Sequence, residues 1–338
     1  MQSKLLSTPR RCFAVWCEDH TERKQCASGG FVTLLSRYVL FRGGVVYGVR
    51  YNETWQAVYE RVDNESMLQY LKGSKYTHSK INDTYRRIQE DLKHLPLVLF
   101  VGLPCQVASL YQFLGEKPDN LLTCDLFCHG TPPSSYLTEE IEYLKKRHKI
   151  KEIDDIRFRG NDGHNYYLTL WNQGQLLYRK KAQAQYYFSA FLDGISLRDA
   201  CQTCAYARLE RSGDFSTGDF IGLGHSKPFT GPLYNTSVVL TTSVHADEIM
   251  AQMSLEFPYL QCQERSIEEA YQGNPALKIR RQAHKHSRSF HQAVKKYGWV
   301  KASRYYQTPS IIKYYLKQLY IKCHHIAHLM KKTLMPQR

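Results

Sequence analysis

Five cysteines stand in or beside turns of the chain, where their thiols could bind a metal or carry redox chemistry. Cys201 and Cys204 form a C-x-x-C pair, which is a common half-site for a metal ion. The other three thiols stand far upstream, a separation typical of ligands that the fold brings together. They are Cys105, Cys124 and Cys128. Ligation by thiolates alone selects zinc or an iron–sulfur cluster.

Spacing alone leaves three interpretations of these thiols open. A zinc site could combine C-x-x-x-C at 124–128 with C-x-x-C at 201–204, a cluster could use thiols from several turns, and unligated cysteines could be small buried hydrophobes. Cys124 lies within an apolar run that suits a buried strand, whereas Cys105 and Cys128 stand in turns. A thioredoxin-like role for the C-x-x-C pair is disfavoured, because charged residues rather than a strand precede it. The weaker candidates are Cys12, Cys17, Cys26, Cys262 and Cys323.

The segment 95–133 positions two of these thiols. Its apolar runs, 97–101 and 121–127, have the length of buried strands, and the helix predicted between them ends at Gly115. Parallel strands of this kind carry their turns to one edge of a sheet, where ligands of open α/β proteins bind. We therefore predict an α/β fold, with a mixed sheet core and helices on both faces, and a redox centre at that edge.

Composition indicates a chain with a substantial core and without a transmembrane helix. Hydrophobic residues make up 43% of its 338 residues, and no apolar run is long enough to span a bilayer. The first residues lack the apolar stretch of a secretory signal, so we expect a cytoplasmic protein with reduced or metal-bound cysteines. We expect a flexible lead at 1–11, a cofactor-binding domain at 12–277 and a basic helical tail at 278–338.

All of the net charge of +15 lies in the tail. Residues 278–338 contain fifteen Lys or Arg and no Asp or Glu, so the remaining 31 basic and 31 acidic residues balance. No recognised motif supports a nucleic-acid arm, and we expect no nucleic acid partner. Residues 310–330 have helical spacing, with one line formed by Ile311, Tyr315, Leu319, Lys322 and Ile326.

This basic amphipathic helix favours peripheral attachment to an anionic inner membrane surface. The alternative is a solvated helix that packs on the body of the protein or on an acidic partner, since charge runs are often just solvated faces.

Two loops have residue types that could bind a charged cofactor. Ser28, Gly29 and Gly30 precede a helix, where free backbone N–H groups can hold a phosphate, although a plain helix N-cap is the alternative. Residues 73–79 place Lys75 in a polar loop, where it could supply a cation to a pyrophosphate or a reduced flavin. The alternative for this loop is a solvated turn.

Six ordered motifs resemble those of the beta-subunit family of coenzyme F-420 (deazaflavin) hydrogenases and dehydrogenases, over about residues 12–225. The motifs are Ala27-Ser28-Gly29-Gly30, Gly73-Ser74-Lys75-Tyr76, Gly102-Leu103-Pro104-Cys105-Gln106, Asp125-Leu126-Phe127-Cys128-His129-Gly130, Cys201-Gln202-Thr203-Cys204, and Gly213-Asp214 with Gly218-Asp219-Phe220. The chain departs from the family pattern where Leu103 replaces a threonine, and where His164 and Ile221 each replace a tryptophan.

The resemblance implies that 12–277 is a flavin and iron–sulfur oxidoreductase domain, a dehydrogenase or reductase with FAD and one 4Fe–4S cluster. Such a protein passes electrons between a hydride carrier or organic substrate and an iron–sulfur or flavin electron-transfer partner. The matching motifs imply the cluster ligands Cys105, Cys128, Cys201 and Cys204, with Cys124 in reserve. They imply cofactor-binding roles for Ser28, Gly29, Gly30, Ser74, Lys75, Tyr76, Gly102, Pro104 and Gln106. His129 and Asp219 are the polar groups expected near the reaction centre.

Relatives of this kind also occur in bacteria that lack the deazaflavin, some beside surface-polysaccharide genes. Coenzyme F-420 is therefore not assumed, and a role in surface polysaccharide biosynthesis is a hypothesis. The alternative from another class is a non-catalytic partner protein whose zinc site or unligated cysteines only stabilise the fold.

Overall fold

The computed structural model describes residues 6–159, 166–279 and 281–334, and the side chains among them up to residue 324. Residues 1–5 of the predicted lead and the sequence departure at His164 lie outside the described residues.

Strands account for much of the first two-thirds of the described chain. They are β1 (Arg11–Cys17), β2 (Val45–Tyr51), β3 (Ala57–Val62), β4 (Val98–Gly102), β5 (Leu121–Leu126), β6 (Asp155–Arg159), β7 (Tyr166–Asn172), β8 (Gln175–Lys181), β9 (Phe215–Asp219), β10 (Ser237–Thr241) and β11 (Leu260–Arg265). Eight form a mixed sheet in the order β11-β1-β10-β9-β5-β4-β2-β3, and three form a second sheet in the order β6-β7-β8.

The helices alternate with these strands and then dominate the C-terminal part. They are α1 (His20–Gln25), α2 (Phe31–Phe41), α3 (Leu68–Leu71), α4 (Thr84–His94), α5 (Pro104–Leu114), α6 (Ser134–His148), α7 (Tyr186–Asp193), α8 (Asp199–Gln202), α9 (Val244–Glu256), α10 (Ile267–Gly273), α11 (Ser287–Tyr297) and α12 (Trp299–Leu334). Short 3₁₀ turns lie at Glu65–Met67, Ala182–Ala184 and Pro275–Leu277.

The strand–helix–strand unit predicted within 95–133 is present as β4, α5 and β5. β4 and β5 pair in parallel, with Gly102 opposite Asp125 at their carboxyl ends. Pro104 begins α5 at its first position, where no N–H is needed, and Gly115 ends it with a φ of 81°. β9 pairs in parallel with the other side of β5. The carboxyl ends of β4, β5 and β9 therefore lie at one edge of the sheet.

Helices cover both faces of the eight-stranded sheet, as the sequence predicted. Successive strand residues point to opposite faces, and the core divides accordingly. Leu99 of β4 packs in the cluster that contains α2 and α9, whereas the next residue, Phe100, packs in the cluster that contains α4 and α5. This alternation explains why the strands read as continuous apolar runs, because both of their faces are buried.

Residues 212–222 are rich in Gly and Asp and poor in apolar residues, which predicts a segment outside the core, but this prediction is wrong. They contain β9, which lies between β5 and β10, with Phe215 and Ser216 fully buried. The polar side chains here are buried with partners: Asp214 accepts from the backbone N–H and the hydroxyl of Thr123 over 3.0 and 2.9 Å, and Thr217 donates to a β10 carbonyl over 2.8 Å. Polar groups with partners can be buried at little cost, so low apolar content did not exclude a central strand.

The polar and charged composition of residues 17–26 predicts a loop, but this segment contains the short helix α1. Asp19 begins it, and its carboxylate accepts from the backbone N–H groups of Thr21 and Glu22 over 2.8 and 3.2 Å. The D-x-x-E spacing is a helix-start signal that the sequence already contained. The edge strand β11, which pairs with β1, was also not predicted.

Contacts divide the chain into two compact units. The first comprises Met1–Thr138, Arg157–Tyr166 and Leu197–Gln282. The second comprises Glu139–Ile156, Tyr167–Ser196 and Ala283–Arg338. The eight-stranded sheet belongs to the first unit, while α7, α11 and α12 belong to the second. The division at residue 278 drawn from charge and composition stays a prediction.

Within the second unit, the buried carboxylate of Glu140 anchors the start of α12. It accepts from Trp299 Nε1 over 2.8 Å, from Arg304 Nη1 over 2.6 Å and from Gln185 Nε2 over 2.8 Å. α12 bears out the predicted helical C-terminal region. No helix among the described residues is both long and apolar enough to cross a membrane.

Candidate functional site

The four cysteines implied as ligands lie at or next to the carboxyl edge of the large sheet, two of them in helices and two in loops. Cys105 is the second residue of α5, and Cys128 follows the end of β5. Cys201 lies in α8 and Cys204 shortly after it. The charges of Cys105, Cys201 and Cys204 all act on Cys128, so the fold brings the four thiols into one neighbourhood.

Burial makes the thiols of Cys105 and Cys128 hard to ionise. It raises the pKa of Cys105 to about 11, with the two thiols of the C-x-x-C pair adding to the effect. Burial raises the pKa of Cys128 to about 12, and the N–H of Gly130 opposes part of that rise. These two thiols keep their protons unless a cationic centre compensates for their charge.

Backbone N–H groups are directed at three of the four sulfur atoms. The pairs are Gly130 N to Cys128 Sγ at 3.3 Å, Thr131 N to Cys201 Sγ at 3.5 Å, and Tyr206 N to Cys204 Sγ at 3.4 Å. Such donors stabilise a thiolate relative to a thiol, and hydrogen bonds to sulfur also tune iron–sulfur centres.

Gly130 allows the turn after β5 to lie directly against α8. Its φ is 96°, a left-handed conformation that disfavours residues with a side chain. A Cβ atom at this position would lie 2.8 Å from Leu197 Cδ1 and 3.3 Å from Cys201 Cβ. Glycine is therefore required here both for the backbone conformation and for the contact with the C-x-x-C helix.

We expect Gly130→Ala to lower the free energy of unfolding by more than the same change at Gly115. Both positions have a positive φ, but nothing lies within 4 Å of a Cβ at Gly115. The crowded site should therefore lose about 1–3 kcal/mol more, the usual cost of overpacking. Denaturant unfolding of the two variants measures the difference, and equal losses would show that the contact with α8 is unimportant.

Cys124, the reserve ligand, lies apart from these thiols. It is fully buried in β5 and packs in the core cluster that contains α2 and α9. Burial raises its pKa, and the charged groups that act on it are Asp125, Asp214 and Arg211 rather than other thiols. In the described part of the chain, no group of three or more His, Cys, Asp or Glu side chains is spaced closely enough to hold a metal ion.

Asp219 stands at the centre of a second, polar cluster at the same edge. Arg159 donates from Nη1 to Oδ1 over 2.8 Å and from Nη2 to Oδ2 over 2.7 Å, and Tyr166 OH donates to Oδ2 over 3.3 Å. Arg159 also donates to Tyr76 OH over 3.0 Å. The Ser28 hydroxyl donates to the carbonyl of Thr236 over 3.1 Å and helps to lower the pKa of Asp219. We call Arg159, Asp219, Tyr76 and Tyr166 the Arg159 network.

The network joins two sequence motifs through a residue that sequence reasoning did not single out. Tyr76 and Asp219 belong to different motifs, and Arg159 connects them. The sequence signal that could have led to Arg159 was Asp219, because a carboxylate placed near a reaction centre needs a cationic partner when it is buried. Arg159 follows a buried phenylalanine at the end of β6, where such a partner could have been sought.

Electrostatics keep Asp219 ionised. Burial by itself raises the pKa of Asp219, but Arg159 outweighs that effect, so the pKa lies below its usual value. His129 is exposed at the surface of the same edge. Partial burial of its ring and then the charge of Arg281 lower the pKa of His129, while Asp219 raises it. The two residues predicted near the reaction centre therefore lie within each other's electrostatic field.

Lys75 interacts with the C-terminal end of the preceding helix, α3. Its ammonium donates to the carbonyls of Lys72, Leu71 and Tyr70 over 2.7, 2.9 and 3.3 Å. These are carbonyls at the C-terminal end of α3, where a cation is favourable. Ser74 beside it is half-buried. The cofactor-binding roles of this loop stay predictions.

Gln106 positions the start of α5. Its Oε1 accepts from Tyr59 OH over 2.9 Å and from Leu103 N over 3.1 Å, and its Nε2 donates to Ser79 Oγ over 3.0 Å. A Cβ at Gly102 would lie 2.7 Å from the same Tyr59 hydroxyl. These contacts orient the helix turn that carries the neighbouring thiol.

Gly29 and Gly30 have local reasons to be glycine. A Cβ at Gly29 would lie 2.2 Å from the carbonyl oxygen of Val15 and 2.6 Å from the backbone nitrogen of Ser237. Gly30, with a φ of 95°, is the N-cap of α2 and supplies no side chain to its first turn. The start of a helix is therefore enough to explain why both of these positions are glycine. The first backbone N–H groups of α2 have no side-chain cap.

The fold and the site define an α/β protein with a thiol-rich edge and a charged network beside it. Residues 96–264, half of the chain, match the family described as the C terminus of the coenzyme F420 hydrogenase/dehydrogenase beta subunit, and the chain belongs to this family. The resemblance drawn from the six motifs is thereby confirmed, and the family supports an oxidoreductase.

A solved structure has a similar fold. It is a chain of the F420-reducing [NiFe] hydrogenase complex from Methanosarcina barkeri, with a TM-score of 0.52 and 15% identity, covering 86% of this chain and 94% of that chain. A comparison with curated proteins gave no significant match.

Proposed function

We propose that the protein is an oxidoreductase with one 4Fe–4S cluster held by Cys105, Cys128, Cys201 and Cys204. The observation that carries this proposal is the set of backbone N–H groups directed at three of the four sulfur atoms. Donors in this arrangement stabilise thiolates and suit the electron-rich sulfurs of a bound cluster. A bound cluster would supply one-electron transfer at the carboxyl edge of the sheet.

The position of Cys124 disfavours the zinc site that would combine C-x-x-x-C at 124–128 with C-x-x-C at 201–204. Cys124 is fully buried in the core, and the charged groups that act on it are Asp125, Asp214 and Arg211 rather than other thiols. The remaining thiols are those that the family motifs imply as the ligands of a cluster.

We assign FAD to the same edge, beside the Arg159 network and the uncapped start of α2. Arg159 Nε is buried and has no hydrogen-bond partner among the described residues, so the network retains a donor that an anionic group could use. FAD would supply hydride transfer, and the protein would orient and shield it. Asp219 would hold Arg159 in place, and His129 would present a polar group at the surface of the site.

The electron donor or acceptor would be a hydride carrier or an organic substrate on one side and an iron–sulfur or flavin protein on the other. The similar chain belongs to a hydrogenase complex, which supports a protein partner for electron transfer. Use of coenzyme F-420 and a role in surface polysaccharide biosynthesis stay predictions.

Anaerobically purified protein should have the spectrum of a flavin with a broad iron–sulfur absorbance. Acid extraction should release FAD, and iron and acid-labile sulfide should be present in equal amounts. Zinc in place of iron, or a featureless spectrum after reconstitution with iron, sulfide and FAD, would instead support a non-catalytic partner protein. Iron without flavin would keep the cluster and remove the FAD assignment.

A further inference from the structure

The outer face of α12 carries a row of large apolar side chains in solvent. Residues three or four apart share a face of a helix, so these side chains form one continuous surface. We call this surface the tail stripe. Its members, each 47% to 78% exposed, are Tyr305, Ile312, Tyr315, Leu316, Leu319 and Tyr320.

The opposite face of α12 already packs within its own unit. Ser303, Gln307 and Ile311 are buried, and Ser189 on α7 donates to Gln307 Oε1 over 2.9 Å. The tail stripe is therefore not needed to attach the helix. Monomeric soluble proteins rarely leave such a surface uncovered, so it points to a binding partner.

Exposure changes along the line predicted from the sequence. Ile311 is buried, whereas Tyr315 and Leu319, one and two turns further along the same side of the helix, are exposed. The side chain of Ile326 lies outside the described residues. Helical spacing identified an amphipathic helix but did not identify which face the second unit covers.

Cations flank the tail stripe. Lys313 and Lys317 lie along one side and Lys322 along the other, all exposed. Lys180 on β8 places its ammonium 5.6 Å from the ring centre of Tyr315. Residues 278–338 contain no acidic residue that could neutralise these charges. The partner must therefore combine an apolar layer with negative charge.

We infer that the tail stripe lies on an anionic membrane surface. Tyrosine rings with polar tips suit the boundary between headgroups and acyl chains, and flanking lysines can extend towards anionic headgroups. A second copy of this chain would bring two cationic helices together, which repulsion opposes. This inference is independent of the cofactors and stands or falls separately from the proposed reaction.

The test is co-sedimentation of the full chain with vesicles of phosphatidylcholine, alone or mixed with phosphatidylglycerol. We expect binding only to the mixed vesicles, and weaker binding at higher salt, because exposed charges are screened. The double variant Lys313→Gln/Lys317→Gln should bind the mixed vesicles about 30-fold more weakly, because the loss of each cation weakens binding about fivefold. Leu316→Gln with Leu319→Gln should weaken it about 10- to 100-fold through lost apolar contact.

The matched control is Leu233→Gln with Leu255→Gln, which removes two exposed leucines outside the tail stripe. It should bind as the wild type does, and circular dichroism should show that all variants are folded. Equal binding to neutral vesicles, no binding to either kind, or unchanged binding of the Leu316/Leu319 variant would overturn the inference. So would a dimer in solution that only the Leu316/Leu319 variant dissociates, because a second copy would then cover the stripe.

Discussion

Cys128→Ala should remove nearly all of the iron and acid-labile sulfide from the protein, and the same change at Cys105, Cys201 or Cys204 should do likewise. A 4Fe–4S cluster takes one thiolate at each iron, so each lost thiolate leaves an iron open to solvent. Iron and sulfide per chain, measured after anaerobic reconstitution, give the readout.

Cys124→Ala is the matched control for this series. It removes a thiol from the same region of the chain, but from the core beneath α2 and α9 rather than from the edge of the sheet. We expect it to keep its iron, with only a modest loss of stability. Full iron in Cys128→Ala together with loss of iron from Cys124→Ala would overturn the ligand assignment.

Asp125→Ala should lower the free energy of unfolding by about 3–5 kcal/mol, because it leaves the buried cation of Arg211 without its partner. Asp125 and Arg211 have side chains that are 0% and 1% exposed. Asp125 Oδ1 accepts from Arg211 Nε over 3.2 Å, and its Oδ2 accepts from the backbone N–H groups of Ser212 and Gly213 over 3.0 and 2.8 Å. Urea unfolding monitored by circular dichroism measures the loss.

Glu264→Ala gives the comparison that isolates burial. Arg11 donates to Glu264 from two nitrogens, over 2.9 and 2.7 Å, but this pair is exposed on the edge strand β11. An exposed pair contributes about 0–1 kcal/mol, so the variant should be close to the wild type in stability. Similar losses in the two variants would mean that burial of the Asp125 pair has no special importance.

The Asp125 pair also links stability to the site. Asp125 is the penultimate residue of β5, three residues before Cys128, and it holds the segment that leads into β9. Its motif was recognised in the sequence, but its partner Arg211 was not. The two residues are 86 positions apart, and nothing in local spacing connects them.

Local chemistry in the sequence was sufficient for several parts of the fold. The elements β4, α5 and β5 followed from two apolar runs, a proline at the first helical position and a glycine at the helix end. The glycine pair Gly43-Gly44 marks the turn that separates α2 from the hairpin of β2 and β3. These elements depend on interactions between residues that are close in the chain. The same is true of the turns that carry the candidate thiols, which is why their motifs could be recognised without coordinates.

The tertiary structure decided what depends on distant partners. β9 is a central strand because buried polar groups find partners on β5 and β10, so its composition alone was misleading. Arg159 unites Tyr76 and Asp219, which are far apart in sequence. The face of α12 that meets solvent depends on which face packs on α7. In each case the deciding energy comes from a contact across the fold, and such contacts leave no periodic signal in the chain.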